Sequence, residues 1–355
     1  MDKKRIGWFC SYTPIELIEA AGLIPYGIRE DSGHGHEDVY LGDSICSYVR
    51  SCIGGALAGA YDFLAGVVIT HSCECMRRLY DGWRFKQEDI GPECIYFLDV
   101  PRVYNEASVA YFAKQLQRFR DELEKRYGPI SEEKLEDTIK KYNRTRDLFS
   151  RMLELRTREN PPVSGVEVAR LIRESLMMPR DDFNRTLESF LDEREGSAGN
   201  QGPRIMIYGG PGNPSLAVLI ESAGGIVVYE NMCNGLRLND TLVGFDEGPM
   251  MGLARRYLGK NPCPRMLGPH ADRGLDEIKR VVDAFRIDGI IYHSIKFCAN
   301  LHTVAGIIKN EFDAGVPVKI IEGDISSEID EREIRSFIKN LGLKSAAGKD
   351  GMRRQ

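Results

Sequence analysis

Twice along the chain, short apolar runs alternate with segments of helical periodicity, and that order restricts the fold more than any other feature. In the first hundred residues the runs fall near 4–10, 23–28, 66–72 and 94–100. Between them lie Pro14 to Gly22, with proline in a first turn and glycine at the end, a small-residue helix near 46–62, and a helix after Cys75. Runs near 204–208, 225–229, 288–293 and 316–321 repeat the order, alternating with helical patterns near 214–224, 248–258, 272–286, 302–314 and 330–341. Strand and helix alternating in this way close into a parallel sheet with helices on its faces. The fold class expected is α/β, in two lobes.

Between the lobes the pattern changes. From 105 to 195 the chain is charged and amphipathic without strand-like runs, which predicts a helical subdomain. The polar stretch from Arg194 to Pro203 has linker composition, centred on 196–203. The lobes are therefore expected at 1–104 and 204–342, with a loose polar tail at 343–355. Leu17-Ile18-Glu19-Ala20-Ala21-Gly22 is echoed by Leu219-Ile220-Glu221-Ser222-Ala223-Gly224, each after the first strand of its lobe. That echo fits two related lobes, although two ordinary amphipathic helices drawing on common residues would also produce it.

At 355 residues, each lobe can bury its own core. No apolar stretch approaches the roughly 20 residues of a membrane span, and the apolar run after Met1-Asp2-Lys3-Lys4-Arg5 is too short for a secretory signal. The expected compartment is the cytoplasm, with no membrane partner. A net charge of −5 argues against a nucleic-acid surface.

Nine cysteines cannot all pair, and in a reducing compartment they are better explained as thiols or metal ligands than as disulfides. Cys46 lies after the second expected strand at the start of a helix, and Cys73 directly follows the third, Val67 to His71. In the second lobe Cys233 follows the second strand, and Cys298 follows the third after a short apolar extension. Four cysteines thus take matching places at the carboxyl ends of strands, where open parallel sheets gather their ligands. Thiolates beside helix N-termini suit a soft metal centre. Structural zinc is the natural competitor, but there is no Cys-x-x-Cys pair, and Cys73-Glu74-Cys75 is not the usual knuckle spacing. A redox dithiol lacks a partner for the same reason. Cys52 and Cys94 read as core residues and Cys10 as a pocket residue, while Cys263 sits on a proline-fixed loop, Asn261-Pro262-Cys263-Pro264, able to reach a cleft.

In order and spacing these segments resemble a known family. They are Gly7-Trp8-Phe9-Cys10-Ser11-Tyr12-Thr13-Pro14, Cys46-Ser47-Tyr48-Val49-Arg50-Ser51, Ser72-Cys73-Glu74-Cys75-Met76-Arg77-Arg78 and Phe97-Leu98-Asp99-Val100-Pro101. In the second lobe Asn231-Met232-Cys233-Asn234-Gly235-Leu236-Arg237, Pro262-Cys263-Pro264 and Lys296-Phe297-Cys298 continue the match. The chain resembles the 2-hydroxyacyl-CoA dehydratase and benzoyl-CoA reductase subunit family, which includes the double-cubane cluster proteins. The resemblance implies two doubly wound, Rossmann-like lobes with parallel sheets and added helices, and an iron–sulfur cluster between the lobes. It carries three ligands of a 4Fe-4S cluster onto Cys46, Cys73 and Cys298. Cys233 and Cys263 fall where cysteine is common, as ligands of a double-cubane 8Fe-9S cluster or as cleft residues. Glu74 and the extra Cys75 depart from the family pattern, which leaves dehydratase subunit, ring-reductase subunit and double-cubane reductase all open.

The chemistry implied is reductive dehydration of a 2-hydroxyacyl-CoA through a ketyl radical, and it needs a base. Glu74, His71 and His293 lie beside ligands or at strand ends, although such residues often only cap a loop or bond a sulfur. Glu74 and His293 are carried forward as catalytic candidates. His34 and His36, in a glycine-rich loop, read as solvated. The loop Gly209 to Pro214 offers a weak phosphate site for CoA. No Gly-x-x-x-x-Gly-Lys-Ser/Thr segment exists, so the resemblance implies a separate ATP-hydrolysing iron–sulfur activator, with a paralogous second subunit or a second copy of the chain. The rivals are a double-cubane reductase of small unsaturated substrates and, outside enzymes, a cluster-bearing electron-relay subunit.

Overall fold

The structure is a computed structural model, and it describes residues 4–28, 41–42, 44–88, 90–92, 94–213, 215–233, 235–266, 268–323 and 329–352. His34 and His36 lie outside the described residues. The first lobe runs β1 (Arg5–Trp8), α1 (Ile15–Ala20), β2 (Ile24–Gly27), α2 (Ser47–Leu57), β3 (Gly66–His71), α3 (Glu74–Phe85) and β4 (Ile95–Asp99). Four helices follow, α4 (Glu106–Tyr127), α5 (Glu132–Thr157), α6 (Gly165–Ser175) and α7 (Arg180–Glu195). The second lobe opens with β5 (Arg204–Gly209), α8 (Ser215–Ser222), β6 (Ile226–Asn231) and α9 (Pro249–Gly259). It closes with α10 (Pro269–Phe285), β7 (Gly289–Ile295), α11 (Ala299–Phe312), β8 (Val318–Gly323) and α12 (Glu331–Met352).

Among the described residues the strands form two four-stranded sheets, ordered β2-β1-β3-β4 and β6-β5-β7-β8, and every pairing is parallel. Each lobe therefore has the same doubly wound α/β order, second, first, third, fourth. The repeated hexapeptide has a physical counterpart. The helices α1 and α8 each follow the first strand of their sheet, and each is followed by a left-handed glycine, Gly22 at φ 82° and Gly224 at φ 90°, a conformation that costs a residue without Cβ little.

Several helix ends differ from the sequence expectation: α2 stops at Leu57 rather than near 62, and α11 starts at Ala299 rather than near 302. Helix α10 begins at Pro269, behind Gly268 at φ 71°, because proline is well placed in a first turn and glycine tolerates the left-handed cap. Helix α12 runs on through Met352, past Gly342, where a loose tail is expected; the Lys344-Ser345-Ala346-Ala347 run has the helix propensity to carry it over that glycine.

The helical segment binds the lobes together. The guanidinium of Arg146 on α5 pairs with the fully buried Glu16 on α1, and Tyr257 on α9 donates its hydroxyl to the same carboxylate at 2.7 Å. Burial opposes the charge of Glu16, but Arg146 and Arg256 more than offset it and hold the carboxyl below its usual range. Arg156, also on α5, donates to the Val227 carbonyl on the edge strand β6 and sits 3.6 Å from Glu230, so that edge is covered. The largest apolar cluster includes Phe9, Trp83 and Ile69 from the first lobe together with Met206, Tyr208 and Tyr292 from the second. The two sheets thus share a core, and their carboxyl ends meet over it.

Candidate metal centre between the two sheets

Where those ends meet, a cavity of about 100 Å³ opens, and six cysteines line it: Cys10, Cys46 and Cys73 from the first lobe, and Cys233, Cys263 and Cys298 from the second. Three of them, Cys46, Cys73 and Cys298, are the N-cap residues of α2, α3 and α11. Cysteine at an N-cap is unusual, since serine, threonine, aspartate and asparagine supply the better acceptor. Its effect here is to bring three thiols to the positive ends of three helices. Burial pushes Cys73 up to about 12 and Cys298 up to about 11, while the first-turn N–H groups of Met76, Leu301 and Asn300 pull the other way. Cys298 is reached through Phe297, whose backbone sits at φ 64° and which is 52% exposed. A left-handed aromatic is sterically costly and marks a loop held by its surroundings.

The other three come from loops. Cys10 follows β1 in a turn closed by the Thr13 N–H on the Cys10 carbonyl at 2.9 Å. Cys233 follows β6, and its sulfur accepts from Nη1 of Arg237 at 3.4 Å. The Cys263 N–H donates to the Tyr12 hydroxyl at 3.4 Å, so the 263 loop of one lobe rests on the loop after Cys10 of the other. Two thiol pairs share protons. The Cys46 thiol bonds Cys75, which raises Cys46 and lowers Cys75 to about 6. Cys233 bonds Cys263, which raises the first and lowers the second.

The donor set is soft. Sulfur, with Phe9, Val49, Met76, Ile295 and Leu301, makes up most of the lining, and among the described residues no carboxylate or imidazole belongs to it. Among the described residues no three His, Cys, Asp or Glu side chains converge tightly enough for a single metal ion. The six thiols instead surround a space, an arrangement suited to a multinuclear body bridging several sulfurs and ill suited to tetrahedral zinc.

All five cysteines expected as ligands line the cavity, and Cys10 joins them. Cys52 is fully buried in the core, and Cys94 lies at the edge of the second apolar cluster. The catalytic candidates fall elsewhere. Glu74 opens α3 with its side chain 58% exposed, paired with Arg78 at 2.8 Å. His293 is in register with Gly209 inside the sheet, and burial lowers it to about 4, so it is neutral; its Nδ1 is buried without a partner. Neither lines the cavity. His71 turns outward as well, with Nδ1 2.8 Å from Asp99, which also accepts from Tyr111 at 2.6 Å. Gly210 and Pro211 of the glycine-rich loop form cavity wall, and a Cβ on Gly210 would meet Leu301 at 2.5 Å. That loop is packed against α11, and its Pro214 lies outside the described residues.

Sequence reasoning missed a cationic group behind the second-lobe cysteines. Tyr12 is held between Lys260, 4.4 Å from its ring centroid, and Arg265, 4.3 Å from it. Lys260 Nζ donates to the Ser11 carbonyl at 2.6 Å. The visible signal is Arg237, four residues after Cys233 in the segment Asn231 to Arg237, a spacing that alone assigns it no role.

A family model described as 2-hydroxyglutaryl-CoA dehydratase, D-component, matches residues 10–340. The chain is 26% identical over 351 residues to the (R)-phenyllactyl-CoA dehydratase beta subunit of Clostridium sporogenes, covering 96% of this chain and 92% of the relative. It is 27% identical over 310 residues to a benzoyl-CoA reductase subunit of Thauera aromatica, covering 83% and 79%. Against the (R)-2-hydroxyglutaryl-CoA dehydratase beta subunit of Acidaminococcus fermentans the identity is 27% over 198 residues, covering 54% and 51%. These relatives are named as subunits of larger enzymes. Among the described residues no helix is long and apolar enough to cross a membrane.

Proposed function

The chain belongs to the 2-hydroxyglutaryl-CoA dehydratase D-component family, and from that premise we propose that it is the iron–sulfur subunit of a cytoplasmic, ATP-activated, low-potential enzyme of the 2-hydroxyacyl-CoA dehydratase type. The observation that carries this reading is the meeting of three N-cap cysteines, Cys46, Cys73 and Cys298, in one sulfur-lined cavity at the carboxyl ends of two sheets. These three would hold a 4Fe-4S cluster. When bound, such a cluster supplies a low-potential electron and, with three protein thiolates, an iron open to a substrate oxygen.

The chain's own residues prepare the space. Phe9, Val49, Met76, Ile295 and Leu301 make the wall apolar and keep bulk water out. Tyr48 donates its hydroxyl to the Phe9 carbonyl at 2.7 Å, which ties α2 to the loop after β1 and steadies the walls that carry Cys10 and Cys46. The reaction is loss of water from a 2-hydroxyacyl-CoA to give the 2,3-unsaturated thioester, so a proton must leave carbon 3. With Glu74 and His293 both outside the cavity lining, the base is best sought on a second subunit, paralogous or identical. The sequence has no phosphate-cradling loop for ATP, so ATP hydrolysis belongs to a separate iron–sulfur activator.

One observation favours a second reading. Six cysteines line the cavity, where a single cubane needs three. A double-cubane 8Fe-9S centre would use them all, as a reductase of small unsaturated molecules or in a role like that of the benzoyl-CoA reductase subunits. The test is iron and acid-labile sulfide per chain in anaerobically purified protein, with electron paramagnetic resonance of the reduced state. About four irons support the dehydratase-type subunit, about eight the double-cubane reductase. Signals that respond to a 2-hydroxyacyl-CoA exclude a mere electron relay, and protein without iron overturns both readings.

A further inference from the structure

Behind the second-lobe cysteines lie three buried basic side chains that, among the described residues, pair with no carboxylate. Arg237 is 1% exposed, Arg265 3% and Lys260 0%. Arg237 donates to the Asn231 side chain at 2.6 Å, to the carbonyls of Asn231 at 2.9 Å and Gly209 at 3.2 Å, and to the sulfur of Cys233 at 3.4 Å. Arg265, which lines the cavity, donates to the carbonyls of Pro101 at 2.9 Å and Val100 at 3.4 Å and stacks on Tyr12; among the described residues its Nε is buried without a partner. Lys260 has the Ser11 carbonyl. Among the described residues none of the three forms an ion pair, and the buried acids nearby are engaged. Glu16 is taken by Arg146 and Tyr257, Glu230 lies beside Arg156, and Asp240 accepts from the Asn261 N–H with Arg256 at 3.8 Å.

A buried charge without a counter-charge is costly, and a fold keeps one only where something else supplies the opposite sign. Among the described residues, besides the Tyr12 ring between Lys260 and Arg265, the groups placed to do so are the thiolates of the cavity and whatever they hold. Hydrogen bonds and positive charge directed at the sulfurs of an iron–sulfur centre stabilise its reduced, more negative state.

We propose that Arg237 and Arg265 are potential-setting residues, a pair of buried guanidiniums that answer the negative charge of the centre in the cavity and make it easier to reduce from the Cys233 and Cys263 side. This rests on the reading that the cavity holds an iron–sulfur centre. Neither residue needs to touch substrate. Their action is electrostatic and comes from the second-lobe side, where Arg237 donates to the Cys233 sulfur, whereas Cys73 of the first lobe is opposed by burial with the Met76 N–H to help it.

The experiment is a potentiometric titration, followed by electron paramagnetic resonance, of anaerobic wild-type protein and the variants Arg265→Gln, Arg265→Lys and Arg237→Gln, each with its iron counted. At the wild-type midpoint the ratio of reduced to oxidised centre is expected to fall about tenfold in Arg265→Gln, equivalent to a midpoint about 59 mV lower for one electron. Arg237→Gln should move the same way, and Arg265→Lys, which keeps the charge, should stay near wild type. If Arg265→Gln loses its iron while Arg265→Lys keeps it, the charge requirement is again supported. Glutamine and lysine variants that match the wild-type midpoint, that shift alike, or that both lose iron would show a purely geometric role and overturn the proposal. Wild-type protein purified without iron would instead defeat the iron–sulfur reading on which it stands.

Discussion

Lys260 is the buried group whose energetics can be worked furthest. Its ammonium is fully buried with one hydrogen bond, to the Ser11 carbonyl, and burial, reinforced by Arg256, lowers its pKa from 10.5 to about 7. The folded protein therefore releases a proton that the unfolded chain keeps until near pH 10.5. At a pH below 7 the full shift counts against folding, roughly 5 kcal/mol at 1.4 kcal/mol per pH unit. By pH 9 folded Lys260 is neutral and the penalty has fallen to about 2 kcal/mol. Stability rises with pH across this window, because there the unfolded state binds more protons. Replacing Lys260 with methionine keeps the volume and removes the penalty, at the loss of one hydrogen bond of about 1 kcal/mol and of the contact with the Tyr12 ring, about 1–2 kcal/mol. Metal-free Lys260→Met is thus expected to be more stable than wild type by about 2–3 kcal/mol at pH 6, and by only about 1 kcal/mol at pH 9, where the neutral amine has no charge to set on the Tyr12 ring. Urea unfolding of both proteins under anaerobic, thiol-reducing conditions at the two pH values reads this directly, and titrating thiols common to both cancel in the difference. A gap between variant and wild type that is the same at pH 6 and pH 9 would refute the buried-charge account.

The thiol pairs and the ion pair between segments give further tests. Cys75, lowered to about 6 by the bond from Cys46 and partly exposed, should be the fastest thiol to react with iodoacetamide in metal-free protein at pH 7, and Cys75→Ser should remove that fast phase; an unchanged rate in Cys75→Ser would place the reactive thiol elsewhere. Arg146→Met should cost about 3–5 kcal/mol because it leaves Glu16 buried without its cation. Pairing it with Glu16→Gln should recover a good part of that loss in thermal unfolding, and a double variant no better than the single one would show that packing, not charge, holds the helical segment to the lobes.

The periodicity makes the two sheets legible because a parallel strand buried on both faces must be written as a continuous apolar run. The runs at 204–208 and 288–293 correspond to β5 and β7, which are buried at every position. The cysteines are legible for the same reason: the ends of those runs fix where the loops are, and Cys46, Cys73 and Cys298 sit at them. What periodicity does not carry is contact between distant segments. Ser11 and Lys260 are 249 residues apart, and Tyr12 meets Arg265 and Cys263 across a similar distance. Nothing local marks Lys260 as buried, since lysine is ordinarily a surface residue. Glu74 is a candidate base by its place beside Cys73, yet Cys73 is the N-cap and Glu74 the first residue of α3, and that position projects to solvent towards Arg78. His293 lies at a strand end by sequence, but β7 continues to Ile295 and keeps its ring inside the sheet.

The two lobes share a sheet order and contribute three cysteines each, but they do not present the cavity with the same electrostatics. On the first-lobe side Cys46 and Cys73 cap the weak positive ends of α2 and α3, and Cys73 is strongly opposed by burial. On the other side, Arg237 and Arg265 are buried guanidiniums of the second lobe, and Lys260 and Arg265 reach across to hold Tyr12 of the first. A repeated fold can therefore supply matched ligands while charge added to one copy makes the two ends of the site unequal. On the proposal that the cavity holds an iron–sulfur centre, that inequality would give an entering electron a preferred side. Removing a second-lobe guanidinium should move the midpoint, whereas altering the first-lobe wall should chiefly change how well the centre is held.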